Sequence, residues 1–314
     1  MPLLPEAGPG RRAHAPLATL VLALCAAAGH AQQTPESDTA AQPRSWDLYA
    51  GLTYLYDTNI DHTQPALESF GGLVTFGGAV RLGSSRGALD LRYDGVIRGY
   101  AHTNIWNIPG HDMKASLRGL LAHHWDLSAT LELELNGSTE DRVLRNEYSW
   151  ESELGYRFNR SNQLLVYGEY LIKEYPSPQS HHEFDPRVGV RFRQLIGDRW
   201  SWTVSGRYEF NRADSTRYRY VGPTLGAELT NPLGGSHVSS SVRYRLRNFT
   251  NRLVRVGTTD VLRRDTDFVA SVAWHQPIGH WEIVLNYQYE RYQSNDIRKE
   301  FREHTAGMTL HRWW

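Results

Sequence analysis

From residue 46 to the C-terminus the sequence alternates between apolar and polar residues with a period of two, over stretches longer than a soluble strand needs. In "RWSWTVSGRYEFN" (199–211), Trp200, Trp202, Val204, Tyr208 and Phe210 share one parity, while Ser201, Thr203, Ser205, Arg207, Glu209 and Asn211 share the other. Successive side chains of a strand point to opposite faces, so such a segment has one oily side and one wet side. "LSATLELELN" (127–136) sets Leu127, Leu131, Leu133 and Leu135 against Ser128, Thr130, Glu132 and Glu134. "NEYSWESELGYRF" (146–158) sets Tyr148, Trp150, Leu154 and Tyr156 against Glu147, Glu151 and Glu153. In "SSSVRYRLRN" (239–248), Val242, Tyr244 and Leu246 oppose Arg243, Arg245 and Arg247. Globular strands average about 5–6 residues, whereas a tilted strand crosses a bilayer in about 9–11.

The connections alternate in length. Short ones such as "HWD" (124–126), "NPLGGS" (231–236) and "QPIGH" (276–280) carry turn chemistry or polar residues. Long ones include "DTNIDHTQPALE" (57–68), "EYPSPQSHHE" (174–183) and "FTNRLVRVGTTDVLRR" (249–264). About 14 strands with alternating gaps predict an all-β, antiparallel up-and-down transmembrane barrel, with short periplasmic turns, longer extracellular loops and both termini periplasmic. Open sheet edges cannot stand in hydrocarbon, so the strands have to close on themselves.

Aromatic residues sort by height. Trp46, Trp200, Trp202, Trp274, Trp281 and Trp314 fall at the predicted periplasmic ends, as an interface girdle. Tyr54, Tyr148, Tyr170, Phe210, Tyr287 and Tyr289 fall toward the other ends. The terminal "RWW" thus anchors the closing strand, and Arg312 on its oily face is tolerable only close to the interface.

The chain precedes its barrel with a leader. Arg11 and Arg12, the apolar run 15–28 and the small residues before Ala31 predict a signal peptide over residues 1–31, and 32–45 reads as a flexible periplasmic lead-in to a barrel over 46–314. The single cysteine, Cys25, lies within that leader and follows Leu24, which favours a plain signal over lipid attachment. A formal net charge of +0 argues against a nucleic-acid partner, and beyond the leader no apolar run approaches the roughly 18 residues of a spanning helix.

The polar faces carry the functional candidates. An acidic arc of Glu132, Glu134, Glu147, Glu151 and Glu153 and a basic arc of Arg187, Arg191, Arg193, Arg207, Arg243, Arg245 and Arg247 lie on different walls of the ring. Two readings stay open: a transverse field that orients a charged passenger, or structural ladders in which the charges pair with each other. Arg252, Arg255, Arg263 and Arg264, in the predicted loop 249–264, offer an attraction for lipopolysaccharide or another partner. No enzyme activity is expected, because His304 has no serine on the neighbouring lipid-facing strands. No metal or cofactor is expected either: adjacent histidines on a strand point apart, so His123–His124 and His181–His182 read as solvated turn and loop residues.

"LYAGLTYLYDTNID" (48–61) and "RRDTDFVASVAW" with "WEIVLNYQYERYQSN" (263–295) resemble the C-terminal barrel of the surface lipoprotein assembly modifiers. The resemblance covers 46–314 and implies a 14-stranded barrel that helps lipoproteins reach the cell surface. Members generally carry a tetratricopeptide-repeat domain before the barrel, and 32–45 is too short for one repeat of about 34 residues. The expected partners are outer-membrane lipid and lipopolysaccharide, the barrel assembly machinery, and a lipoprotein or small-solute passenger. A passive porin-like channel and a barrel acting through its outer loops are the alternatives.

Overall fold

The structure is a computed structural model that describes residues 46–59, 66, 68–84, 87–101, 109–138, 144–175, 181–197 and 200–314. The predicted signal peptide with Cys25, the predicted lead-in and parts of several predicted loops lie outside the described residues. Fourteen strands follow in chain order: β1 (Trp46–Asp57), β2 (Ser69–Ser84), β3 (Gly87–Tyr100), β4 (Gly110–Ala122), β5 (Trp125–Ser138), β6 (Leu144–Arg157) and β7 (Asn162–Tyr175), then β8 (His181–Ile196), β9 (Trp200–Ala213), β10 (Tyr220–Leu233), β11 (Ser236–Val256), β12 (Thr259–Ile278), β13 (Trp281–Ser294) and β14 (Phe301–Trp313). Each pairs antiparallel with its neighbours in sequence, and β1 pairs with β14 from Tyr49↔Trp313 to Asp57↔Thr305, so the sheet is a closed barrel. No described helix is long and apolar enough to cross a membrane; the strands do the crossing.

Parity decides which side chains face out. Val166, Val188, Val190, Leu225, Val242 and Leu285 are exposed apolar residues on the outer wall, while the residues between them turn into the lumen. Asp185, Glu209 and Asp267 on that inner wall are fully buried. An apolar exterior around a charged interior is a soluble protein turned inside out, and a closed antiparallel sheet with that polarity sits in the bacterial outer membrane.

One end of the barrel is made of tight turns. Gly234 and Gly279 each take φ of 61° at the first of two residues joining β10 to β11 and β12 to β13. That is the position at which a type II′ hairpin needs positive φ, and glycine meets it without a Cβ clash. The chain ends seal the same rim: the Trp314 N–H donates to the Leu48 carbonyl at 3.0 Å, and Trp313 N–H to that of His280 at 2.9 Å.

At the opposite end the structure corrects the sequence reading. Residues 249–264 are not a loop. β11 and β12 run on for 21 and 20 residues and pair from Leu253↔Leu262 to Val256↔Thr259, beyond an irregularity that follows Asn248. Gly257, with φ of 61°, closes this tall hairpin through a two-residue turn. Two short 3₁₀ turns, Thr216–Tyr218 and Ile297–Lys299, lie at the same end, between β9 and β10 and between β13 and β14.

Candidate functional site

The acidic residues read from β5 and β6 face the lumen, each within reach of a cation from its own or a nearby strand. Lys114 Nζ lies 2.7 Å from Glu132, Arg145 Nη2 lies 2.7 Å from Glu147 and 4.0 Å from Glu134, and Arg191 lies 2.7 Å from Glu153 and 3.9 Å from Glu151. Arg191 reaches β6 from β8, across the intervening β7, where its guanidinium also covers the Tyr167 ring at 4.8 Å.

The basic arc is interleaved with carboxylates in the same way. Arg187 pairs with Asp185 at 2.8 Å and Glu169 at 3.2 Å. Arg207 and Arg245 converge on Glu209, each at 2.9 Å, and Thr224 donates a further bond to that carboxylate at 2.9 Å. Arg243 reaches Asp267 on β12 at 3.0 Å. Lys173 joins the cluster from β7, 2.8 Å from Asp185 and 3.7 Å from Glu183. Arg247 lies over the rings of Tyr220 and Tyr292 at 5.7 and 5.3 Å. Arg193 follows Arg191 on β8, away from this cluster. Charges taken out of water require partners, which is why a wall that reads as basic in sequence carries buried acids.

A second acidic wall escaped the sequence reading. Asp57 on β1, Asp265 and Asp267 on β12, Glu290 on β13 and Glu303 on β14 are all buried on the lumen side. Arg263 pairs with Asp265 at 2.6 Å, and the hydroxyls of Tyr292 and Ser294 donate to the same carboxylate. The parity signal is present in "RRDTDFV" (263–269), where Arg263, Asp265 and Asp267 alternate with Arg264, Thr266 and Phe268.

Above these pairs, at the long-loop end, the lumen opens into a cavity of about 970 Å³. Its lining holds twelve arginines and lysines against three acids, Glu147, Glu183 and Asp296, and includes five of the predicted basic residues: Arg187, Arg207, Arg243, Arg245 and Arg247. Arg252 and Arg263, expected on an outer loop, also line it; Arg255 and Arg264 are the two that stay exposed. The Arg298 guanidinium, hydrogen-bonded to Asp296 at 3.0 Å, holds that carboxyl below the usual carboxylate range.

His181 is a correction of another kind. It is no solvated loop residue: its ring stacks on Tyr175 at 4.2 Å and on Tyr218 at 4.4 Å, forming a three-ring column on the cavity wall. His182 does stand exposed, 3.2 Å from Asp214. His123 and His124 form the turn between β4 and β5. His304 accepts or donates a 2.7 Å bond with the Tyr287 hydroxyl. Among the described residues no group of three or more histidine, cysteine or acidic side chains converges as metal ligands.

On the outer wall Trp46, Trp200, Trp281 and Trp314 are exposed near the tight-turn end. Trp202 and Trp274 share the outward parity there, with the Trp202 indole N–H donating to Gln194 at 2.8 Å. Arg312 lies over Trp281 at 5.3 Å and Trp314 at 5.0 Å, so its charge is covered by two rings of the girdle.

No protein-family model matches the sequence, and no curated protein matches it. Among solved structures, the chain is similar to OprB of Pseudomonas putida, at 6% identity, covering 86% of this chain and 94% of that one with a TM-score of 0.49. It is also similar to OmpT, an outer membrane protein of Vibrio cholerae, at 10% identity, 86% and 99% coverage and a TM-score of 0.47. The translocator domain of the autotransporter NalP from Neisseria meningitidis shares 11% identity over 87% of this chain and 90% of that one, with a TM-score of 0.39. Strand number and closure rest on this chain's own pairing.

Proposed function

We propose that the barrel is a porin-like channel that passes small anionic solutes across the outer membrane. One observation carries this reading: a lumen cavity of about 970 Å³ whose lining is dominated by arginine and lysine, at the end where the longer connections lie. Fixed positive charge inside a low-dielectric wall concentrates anions at a mouth and repels cations, so it selects by rate without tight binding. The pairs Lys114–Glu132 and Arg191–Glu153, outside the cavity lining, play a different part, lining the wall with polar groups while cancelling each other's fields. Purified protein in planar bilayers under a potassium chloride gradient tests the proposal. A reversal potential displaced toward that of chloride is the expected result; a cation-selective pore, or no conductance, would count against it.

A second reading is passage or surface display of lipoproteins. Its support is the resemblance of residues 48–61 and 263–295 to the surface lipoprotein assembly modifiers, segments that fall on β1, β12 and β13, beside the β1–β14 closure. Deletion of the protein followed by protease shaving of intact cells addresses it, and an unchanged set of surface lipoproteins would remove it.

A further inference from the structure

The basic cavity contains cations of two kinds, and the difference points to the chemistry of its ligand. Arg187, Arg207, Arg243 and Arg245 are tied to carboxylates. Arg217, Arg252 and Lys299 line the same cavity, and no carboxylate among the described residues forms an ion pair with any of them. They stand on three separate elements: the Thr216–Tyr218 turn, the extension of β11, and the Ile297–Lys299 turn. Their positive charge is therefore offered to the cavity from several sides, where a single small anion would engage one of them at a time.

Aromatic rings lie between these charges. The Arg217 guanidinium sits 4.7 Å from the Tyr218 ring centre and donates to the Tyr218 hydroxyl at 2.7 Å, and Arg252 lies 5.9 Å from the same ring. Tyr218 in turn stacks on His181, and His181 on Tyr175. The column is nearly parallel throughout, with interplanar angles of 13° and 7°. Rings held in this way keep apolar faces and polar edges in fixed places. With the ring faces stacked on one another and Arg217 over the Tyr218 ring, the column offers its polar edges, the tyrosine hydroxyls and the imidazole nitrogens, and the hydroxyl groups of a sugar match such edges. The cavity volume of about 970 Å³ is at the upper end of the roughly 300–1,000 Å³ typical of small-molecule sites, which suits a short oligomer better than a lone ion.

We propose that this cavity binds a short acidic oligosaccharide, a chain of uronate sugars whose carboxylates meet Arg217, Arg252 and Lys299 and whose hydroxyls meet the polar edges of the Tyr175–His181–Tyr218 column. The proposal rests on the anion-passage reading for its choice of site and adds the class of ligand. Titration calorimetry on the folded, detergent-solubilised full chain tests it, with sodium trigalacturonate as the probe and maltotriose and sodium phosphate as comparisons. Saturable binding of trigalacturonate is expected, with no detectable binding of maltotriose or phosphate. The double variant Arg217→Ala/Arg252→Ala is expected to weaken binding by about tenfold or more, a typical loss when recognition by arginine is removed. Tyr218→Ala is expected to weaken it as well, and the heat-dependent gel shift checks that each variant is a closed barrel. Should Tyr218→Ala fail that check, the double variant decides the matter alone. Absence of trigalacturonate binding, equal binding of phosphate, or a double variant that binds like the parent would overturn the proposal. Bilayer recordings on the same preparation separate the two readings: anion-selective conductance without trigalacturonate binding sinks only the sugar assignment, while binding without conductance sinks only the passage.

Discussion

The inner walls of β5–β6 and of β8–β11 obey the same alternation and both carry dense charge, yet they treat it differently. On β5, Glu132 keeps 34% of its side chain exposed and meets one lysine. On β9, Glu209 is 1% exposed and holds two arginines and a threonine at once. A carboxylate that retains its water gains little from a neighbour, because solvent screens the attraction. A carboxylate stripped of water depends on its partners entirely, and they on it. Around Glu132 the wall is a polar lining; around Glu209 it is a cross-braced lattice that supports the basic cavity above it.

This contrast is sharpened most by Glu209→Ala. It would leave Arg207 and Arg245 in a dry environment without their shared partner, and a loss of about 3–5 kcal/mol is expected, the usual range for breaking a buried pair. Urea unfolding in micelles, followed by the gel-mobility shift, measures it, and a loss below about 1 kcal/mol would show that the lattice is not braced as described. The outer wall supplies the next test. Val188 is 55% exposed near the middle of β8, and Val188→Lys is expected to cost about 2–4 kcal/mol in refolding into lipid vesicles, as for a cation at the bilayer midplane. Indifference to that change would mean that this face does not touch acyl chains. Arg312→Ala, which removes the cation held over Trp281 and Trp314, is expected to cost only about 0.5–1 kcal/mol in the same refolding assay. The smallest effect is reserved for the polar lining: Glu132→Gln, which discharges the pair with Lys114, is expected to change stability by about 0.2–1 kcal/mol. A larger loss there would erase the distinction between the two walls.

Much of the architecture was legible because parity survives in a single sequence. Trp200, Val204, Tyr208 and Phe210 announce an outward face without reference to any other strand, and fourteen such segments leave few alternatives to a ring. Height and partnership are not encoded locally. Glu209 and Glu132 read alike in the sequence; only the register of neighbouring strands brings Arg245 to one and Lys114 to the other. The tall hairpin was missed for a specific reason. Its ladder resumes beyond an irregularity after Asn248, so "FTNRLVRV" loses the two-residue rhythm that marks a strand while remaining hydrogen-bonded. With the hairpin mistaken for a loop, Arg252 and Arg263 were assigned to the cell exterior. His181 was misjudged because stacking depends on Tyr218, 37 positions away and delivered by a turn that sequence patterns do not register.

The extension of β11 and β12 also has a mechanical side. Strand pairing with β10 stops at Tyr220↔Phe249 and with β13 begins only at Asp265↔Ser294; past them the flanks are held by isolated bonds, such as Thr250 N–H to the Arg219 carbonyl at 3.0 Å and the Asn295 side-chain amide to the Leu262 carbonyl at 2.8 Å. At about 3.3 Å per residue the stretch from Thr250 to Val256 carries the ribbon on the order of 20 Å past the last residue paired with β10. Bare backbone amides along a flank are an invitation to zip with another molecule of the same kind. Arg255, exposed near the Gly257 turn, and Arg264, exposed at the foot of β12, put like charge beside those amides, which disfavours edge-to-edge pairing of two such ribbons.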